Sequence, residues 1–134
     1  MEKQGMRSFS NIIIYSKGAN GAGSKLQETV KTVLPGAHLE AFHTIPDLSQ
    51  RLQGPAFNFP IVVLLVTNRE DLESIIAIQD LLFDFRIVLI LPDKEDDMMA
   101  LGHILRPRFV SYRDSSFQDV GAVLNKMANR SAYS

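Results

Sequence analysis

Three glycines, a serine and a lysine follow the first apolar segment of the sequence and could together bind a phosphate. They lie in the stretch IIIYSKGANGAGSK, and the residues concerned are Gly18, Gly21, Gly23, Ser24 and Lys25. A strand that leads through a glycine-rich turn into a helix directs backbone N–H groups and the positive end of the helix dipole at one point. The stretch is therefore a candidate anion-binding loop for a small anion, a nucleotide or a flavin phosphate.

The spacing of Gly18 and Gly23 matches the nucleotide-binding motif G-x-x-x-x-G-K-[ST], but the motif is incomplete. Ser24 and Lys25 stand in the reverse of the order that the motif requires. The reversal moves the lysine by about 100° around a helix axis, which directs its ammonium group away from the phosphates. The later stretch PIVVLLVTN also ends without the acid that would hold magnesium. Nucleotide hydrolysis is therefore disfavoured, and of the two alternatives left open, an anion loop and a simple connection, we favour the connection.

Composition and length indicate a single domain over residues 1–134, with a core from about 9 to 130 and short flexible ends. The net charge of −1 gives no sign of a nucleic-acid or membrane partner. There is no cysteine, and no two of the three histidines have the i, i+4 spacing of helical metal ligands, so we expect no metal and no cofactor. The longest apolar run, residues 61–66, is too short to span a bilayer, and the N-terminus lacks a signal-peptide segment, so we expect a cytoplasmic protein.

The elements that must position any site are strands and helices in alternation. Three runs rich in Ile and Val, at residues 11–15, 60–66 and 86–91, do not alternate with polar residues, which is typical of strands covered on both faces. Two partly alternating runs, at 38–43 and 108–112, indicate weaker or edge strands. The sequence therefore predicts five strands.

Five helices are predicted between and after these strands. The first opens at Ser24, which forms the pattern of a capping box with Gln27, and ends before Pro35. The others are predicted over residues 46–52, over 71–83, from the acidic run at 92–97 to about 105, and from Ser115 onward. Alternation of this kind predicts a three-layer, flavodoxin-like α/β fold, a doubly wound parallel sheet with strand order 2-1-3-4-5 and two or three helices on each face. In such folds ligands bind beyond the carboxyl ends of the strands.

The chain, over about residues 9 to 130, resembles the receiver domain of two-component response regulators. The resemblance rests on the order and length of the five βα units and on the final stretch RFVSY, followed by Arg113 and an amphipathic helix opening SSFQDVGAVL. Receivers have a lysine at the position of Arg113. They also carry paired acids at the end of strand one, where this chain has Tyr15, Ser16 and Lys17, and a phosphoacceptor aspartate after strand three, where it has Val66, Thr67 and Asn68.

These matches imply a degenerate, or pseudo-receiver, site. Magnesium requires hard oxygen ligands, and an aspartyl phosphate requires a nucleophilic carboxylate, which neither Val66 nor Thr67 supplies. Lys17 would also repel the metal. The resemblance therefore implies a signalling or regulatory module that is not an enzyme, has no catalytic residue and acts without phosphorylation. We expect a closed, repacked pocket there; the alternative is a neutral mouth that a partner or ligand reads.

A partner surface is predicted on the fourth helix and the elements that follow it. The predicted core stripe of that helix is Met98, Leu101, Ile104 and Leu105, with Met99 and His103 pointing away from it. Receivers are similar in that they dimerise or dock partners through the fourth helix, fifth strand and fifth helix. The resemblance thus implies a protein partner or a second copy of the chain at Met99, His103, Tyr112 and Arg113.

Overall fold

The computed structural model describes residues 11–17, 21–54, 60–113 and 117–133, with side chains as far as residue 128. The strands are β1 (Asn11–Ser16), β2 (His38–Phe42), β3 (Ile61–Leu65), β4 (Arg86–Leu91) and β5 (Phe109–Tyr112). The α-helices are α1 (Gly21–Val33), α2 (Ile45–Leu52), α3 (Arg69–Ile76), α4 (Asp96–His103) and α5 (Gln118–Tyr133), and a 3₁₀ helix covers Gln79–Leu82. No α-helix of these described ranges is both long and apolar enough to cross a membrane.

The strands form one parallel sheet in the order β2-β1-β3-β4-β5, which confirms the predicted fold class. The three runs rich in Ile and Val became β1, β3 and β4, and each is buried beyond its first residue or throughout. The partly alternating runs became the two edge strands. Parallel pairing is continuous at the carboxyl ends, where Ser16 lies opposite Leu65 and Leu91 lies opposite Tyr112.

Side chains that alternate along each strand divide the interior into two apolar clusters. On one face Ile12 and Ile14 of β1 belong to the same cluster as Leu26 of α1 and Val120 of α5. On the other face the cluster includes Ile13 and Tyr15 with residues of α2, α3, the 3₁₀ helix and α4. Because Tyr15 has an apolar ring and a polar tip, this second face brings a hydroxyl group to the carboxyl edge of the sheet.

Helix α1 begins at Gly21, so the predicted start at Ser24 is wrong, and Gly21, Gly23, Ser24 and Lys25 lie in a helix rather than in a loop. Gly23, Leu26 and Val30 are the buried residues of α1, at spacings of three and four. The face that packs on the sheet thus extends one turn before Ser24, and this packing outweighs the local capping signal. Gly18 lies outside the described residues.

The single helix predicted over residues 71–83 is two elements. Asn68 caps α3, which ends at Ile76. Ile78 then departs from helical geometry, with φ −110° and ψ 23°, before the 3₁₀ helix begins. In an unbroken α-helix, Phe83 would lie within about 20° of Leu72 and therefore face the core. The break instead places Leu82 in the core and turns Phe83 outward.

Helix α4 packs on β4 with a face shifted toward Gly102, although Met98 and Leu105 lie in the core and Leu101 packs against it, as predicted. Met98 and Gly102 are its buried residues, and a Cβ atom at Gly102 would come within 2.8 Å of a methyl carbon of Leu89. Gly102 thus allows the helix to approach the sheet closely. This rotates Met99 to the edge of the core, where it is partly buried, so its predicted outward direction is wrong. Ile104, predicted in the core, follows the end of the helix and is exposed.

Candidate functional site at the carboxyl edge of the sheet

A hydrogen bond between Tyr15 and Asp71 occupies the carboxyl edge of the sheet. The hydroxyl group of Tyr15 donates to Oδ1 of Asp71 at 3.0 Å. Only 1% of Tyr15 and 2% of Asp71 is exposed. Tyr15 is the next-to-last residue of β1 and Asp71 lies in the first turn of α3, so the bond joins the end of a central strand to the helix that follows β3.

The second oxygen of Asp71 holds the loop that follows β3. Oδ2 accepts from the backbone N–H of Thr67 at 3.0 Å and from the Thr67 hydroxyl group at 3.2 Å. In return, the side chain of Asn68 accepts from the backbone N–H of Asp71 at 2.8 Å. The reciprocal bonds resemble a capping box, in which the residue at the third helical position reaches back over the start of the helix. Thr67 and Asn68 are therefore tied into the cap of α3.

The surroundings of Tyr15 keep its hydroxyl group protonated. Burial raises the pKa of the Tyr15 hydroxyl well above its usual value, and the negative charge and hydrogen bond of Asp71 raise it further. Tyr15 is thus a neutral donor at physiological pH. Asp71 accepts three donors, and its place in the first turn of α3 lets the positive end of the helix dipole support a negative charge. The pair consists of an uncharged hydroxyl group and a fully partnered carboxylate.

At the carboxyl end of β1, the backbone of Ser16 contacts His43, and Lys17 supplies a positive charge. The side chain of Ser16 is buried, and its carbonyl oxygen accepts a hydrogen bond from Nδ1 of His43 at 2.9 Å. A carbonyl oxygen can only accept, so the proton of His43 must lie on Nδ1. Lys17 is exposed just beyond. The three positions matched to receiver acids thus supply a phenol, a serine and an ammonium group, and none supplies a carboxylate.

The far side of the edge is built from β4, β5 and the loop that leads into α4. Leu91 ends β4 in the core, and its carbonyl oxygen accepts from the backbone N–H of Arg113 at 2.8 Å. Nζ of Lys94 lies 5.0 Å from the ring centroid of Tyr112, a cation–π contact. Ser111 is buried and donates to Asp119 of α5 at 2.7 Å. Arg113 is exposed at the end of this row.

The polar side chains described at this edge are engaged with one another. Both oxygens of Asp71 already accept protein donors, and the carboxylate has almost no exposed surface. In the described ranges, 11–17, 21–54, 60–113 and 117–133, no three His, Cys, Asp or Glu residues are grouped so that they could hold a metal ion. No buried side-chain nitrogen or oxygen among these residues lacks a hydrogen-bond partner.

The structure brings some of the predicted site residues together and separates others. Tyr15, Ser16, Val66, Thr67 and Asn68 meet at one edge, with Val66 in the core. On the predicted partner surface, His103 and Arg113 are exposed, whereas Met99 and Tyr112 are partly buried. From residue 21 onward the predicted anion loop is not a loop, because these residues belong to α1.

Sequence reasoning missed Asp71, the residue on which this site depends. The interpretation placed it in a predicted helix and gave it no role. A signal was present, because Asn68 and Asp71 have the three-residue separation of a capping box immediately after a buried strand. That pattern identifies a carboxylate turned back toward the end of β3.

Several solved structures are similar to this chain, whereas no protein-family model and no curated protein matches it. One is a trimeric coiled coil of yeast Spc42 fused to another structure, with 14% identity, a TM-score of 0.69 and coverage of 90% of this chain and 78% of that one. The second is a CheY-like response regulator receiver domain protein from Methanospirillum hungatei, with 9% identity, a TM-score of 0.68 and coverage of 92% and 96%. The third is the BeF3-activated DrrB receiver domain, with 16% identity, a TM-score of 0.63 and coverage of 94% and 99%.

These similarities define the class of fold. The chain is a five-stranded, doubly wound α/β domain with the CheY-like receiver architecture, over nearly the whole length of the compared domains. At such low identity the likeness concerns the fold alone, because one architecture supports many unrelated functions. Function must be argued from the site.

Proposed function

We propose that this protein is a non-catalytic regulatory module that binds another protein without being phosphorylated. The observation that carries the proposal is the buried hydrogen bond between Tyr15 and Asp71 at the edge where receivers bind magnesium and phosphate. The resemblance implies acids at the positions of Tyr15 and Ser16. A phenol ring occupies that space here, and its hydroxyl group is hydrogen-bonded to the buried carboxylate of Asp71.

Asp71 is a poor substitute for the phosphoacceptor. A nucleophilic carboxylate needs a free oxygen, an approach path for the phosphorus atom and a cation to neutralise charge. Asp71 has donors on both oxygens, is enclosed, and faces the hydroxyl group of Tyr15 rather than a metal site. Attack by Asp71 would require breaking the cap of α3 and exposing the end of β3. We therefore propose that the site stays closed and serves to hold β1, β3 and α3 in one arrangement.

The proposed partner surface lies beside this closed edge. Arg113 is exposed there, and Lys94 stacked over Tyr112 adds a second positive charge next to an aromatic ring, whereas His103 is exposed at the far end of α4. Arginine and tyrosine are enriched in protein interfaces, since both combine apolar area with hydrogen-bonding groups. A surface of this kind suits a protein partner that supplies acidic and aromatic side chains.

The decisive experiment is NMR titration of the full chain with acetyl phosphate, and separately with beryllofluoride, in the presence of magnesium. We expect the backbone amide signals of Val66, Thr67 and Asn68 to stay unchanged. Saturable shifts of these signals would refute the proposal. The matched control is Asp71→Asn, which removes the one buried carboxylate: shifts that vanish in this variant would identify Asp71 as the acceptor.

A further inference from the structure

An open groove, lined by apolar side chains together with Gln79 and Arg106, lies at the opposite edge of the sheet from the closed site. It has a volume of about 580 Å³ and runs between the 3₁₀ helix and the end of α4, where β4 begins. Phe83 forms one wall and is 80% exposed, while Ile104 lies on the other wall and is 46% exposed. Among the residues that the structure describes, these are the two large apolar side chains that are exposed. Leu82, Phe85, Ile87 and Leu105 also line the groove.

Both walls are held by backbone hydrogen bonds between residues that are close in sequence. The N–H of Phe85 donates to the carbonyl oxygen of Leu82 at 3.1 Å, which closes the turn that carries Phe83. On the other wall, the N–H groups of Ile104 and Arg106 donate to carbonyl oxygens three residues earlier, at 3.1 and 3.0 Å. Arg106 has a φ of 53°, a left-handed conformation that ends α4 sharply. The exposed apolar groups therefore lie on ordered turns, and holding them in place adds little entropic cost to binding.

The two walls carry opposite charge. Asp80 and Asp84 lie on either side of Phe83 in sequence, while Arg106 and Arg108 follow Ile104. All four are exposed, and none takes part in the ion pairs found in the described ranges. The charge of Arg108 also lowers the pKa of Arg86, after the larger effect of burial, which is consistent with positive charge in excess on that side.

We propose that this groove is a self-association surface that binds a second copy of the chain about a two-fold axis. A two-fold axis brings the same patch of each copy together, so the patch must complement itself. This one does: Phe83 projects from one wall and a groove of matching apolar character lies beside it. The rotation also sets Asp80 and Asp84 of each copy against Arg106 and Arg108 of the other. The charge pattern thus favours a second copy over an unrelated partner.

The groove is separate from the part of the proposed partner surface that lies at the carboxyl edge, namely Lys94, Tyr112 and Arg113. Arg113 follows β5 at the carboxyl edge of the sheet, whereas the groove borders the start of β4, and His103 lies at the groove's end of α4, next to Ile104. A dimer formed through the groove leaves the closed Tyr15–Asp71 edge and its neighbours accessible. The inference therefore stands or falls independently of the proposed function.

Sedimentation velocity of the full chain, from low micromolar to near millimolar concentration, tests the proposal. We expect a monomer–dimer equilibrium that Phe83→Asp weakens by about tenfold or more, as for a buried aromatic anchor of an interface. Because Phe83 is largely exposed in the monomer, the thermal unfolding midpoint of the Phe83→Asp variant should not fall below that of the wild type. Arg113→Glu serves as the control for the other surface and should leave the equilibrium unchanged.

A charge-swap pair makes the test specific to this geometry. Asp84→Arg and Arg106→Asp should each weaken the dimer, because each places like charges opposite one another, and the double variant should recover most of the affinity. Aspartate also tolerates the left-handed backbone at position 106. A chain that stays monomeric at every concentration would overturn the proposal, as would a dimer that resists Phe83→Asp or is lost in Arg113→Glu.

Discussion

The hydroxyl group of Tyr15 lies 3.0 Å from Oδ1 of Asp71, although the two residues are 56 positions apart in the chain. The bond crosses from the end of β1 to the first turn of α3, and both side chains are buried. In receivers this edge must open to a metal and a phosphoryl group. Here it is occupied by a pair whose polar atoms are mutually satisfied, so its contribution should be measurable as stability.

Tyr15→Phe should lower the free energy of unfolding by about 1–3 kcal/mol, since it leaves Oδ1 of a buried carboxylate without its donor. Urea denaturation measures the loss. Tyr112→Phe is the matched control, because it keeps the ring that Lys94 contacts, and it should change stability by less than about 0.5 kcal/mol. A double-mutant cycle with Asp71→Asn should give a coupling energy of about 0.5–3 kcal/mol. Additive losses would mean that the hydrogen bond contributes nothing of its own.

Stability should also fall at alkaline pH because of Tyr15. Its pKa is raised in the folded protein, whereas an unfolded tyrosine has a pKa of about 10. Below that pH both states keep the proton and the contribution is complete. Above it the unfolded state loses the proton first, and stability decreases by up to about 1.4 kcal/mol per pH unit until the folded group also titrates.

The measurement is urea denaturation at a series of alkaline pH values, for the wild type and for Tyr15→Phe. The variant lacks the phenol and should show a shallower decline. Absorbance of the folded proteins near the tyrosinate band provides a second readout, in which wild type minus variant isolates the ionisation of Tyr15. A difference curve with a midpoint at the ordinary tyrosine pKa would contradict the assigned burial and hydrogen bond.

The cap of α3 gives a third prediction. Asn68→Ala removes the acceptor for the backbone N–H of Asp71 and should cost about 1 kcal/mol of stability. Asn68→Asp keeps an acceptor oxygen at the same place and should cost less. Chemical denaturation of the two variants measures both values. Equal losses would show that the cap hydrogen bond is not the source of the effect.

The strands and their order could be predicted because their signal is local. Unbroken Ile and Val runs at residues 60–66 and 86–91 are compatible with burial on both faces, and alternation with helices leaves few topologies. Helix faces were harder. The start of α1 depends on the burial of Gly23, and the direction of Met99 depends on how closely Gly102 allows α4 to approach the sheet; periodicity alone contains neither.

The site divides in the same way. The absence of carboxylates at the positions of Tyr15, Val66 and Thr67 follows from matching strand ends, and that part could be derived from the sequence. The partner of Tyr15 could not, since the approach of Asp71 depends on the packing of α3 against β1 and β3. The capping pattern of Asn68 and Asp71 identifies the helix start, but only the fold shows that the carboxylate also reaches a phenol from another strand.

The close approach of α4 to β4 gives the last prediction. A Cβ atom at Gly102 would lie 2.8 Å from Cδ2 of Leu89, inside a packed core, so Gly102→Ala should destabilise the fold by about 1–3 kcal/mol. Gly21 provides the control, since a Cβ atom there meets nothing within 4 Å, and alanine at this exposed helical position should leave stability unchanged or raise it by up to about 1 kcal/mol. Thermal and urea unfolding of both variants compare the two sites directly. Gly102→Ala shares the helix-propensity gain of Gly21→Ala, so a loss at residue 102 alone must come from the contact with Leu89, and equal stability in the two variants would mean that α4 does not pack on β4 at this distance.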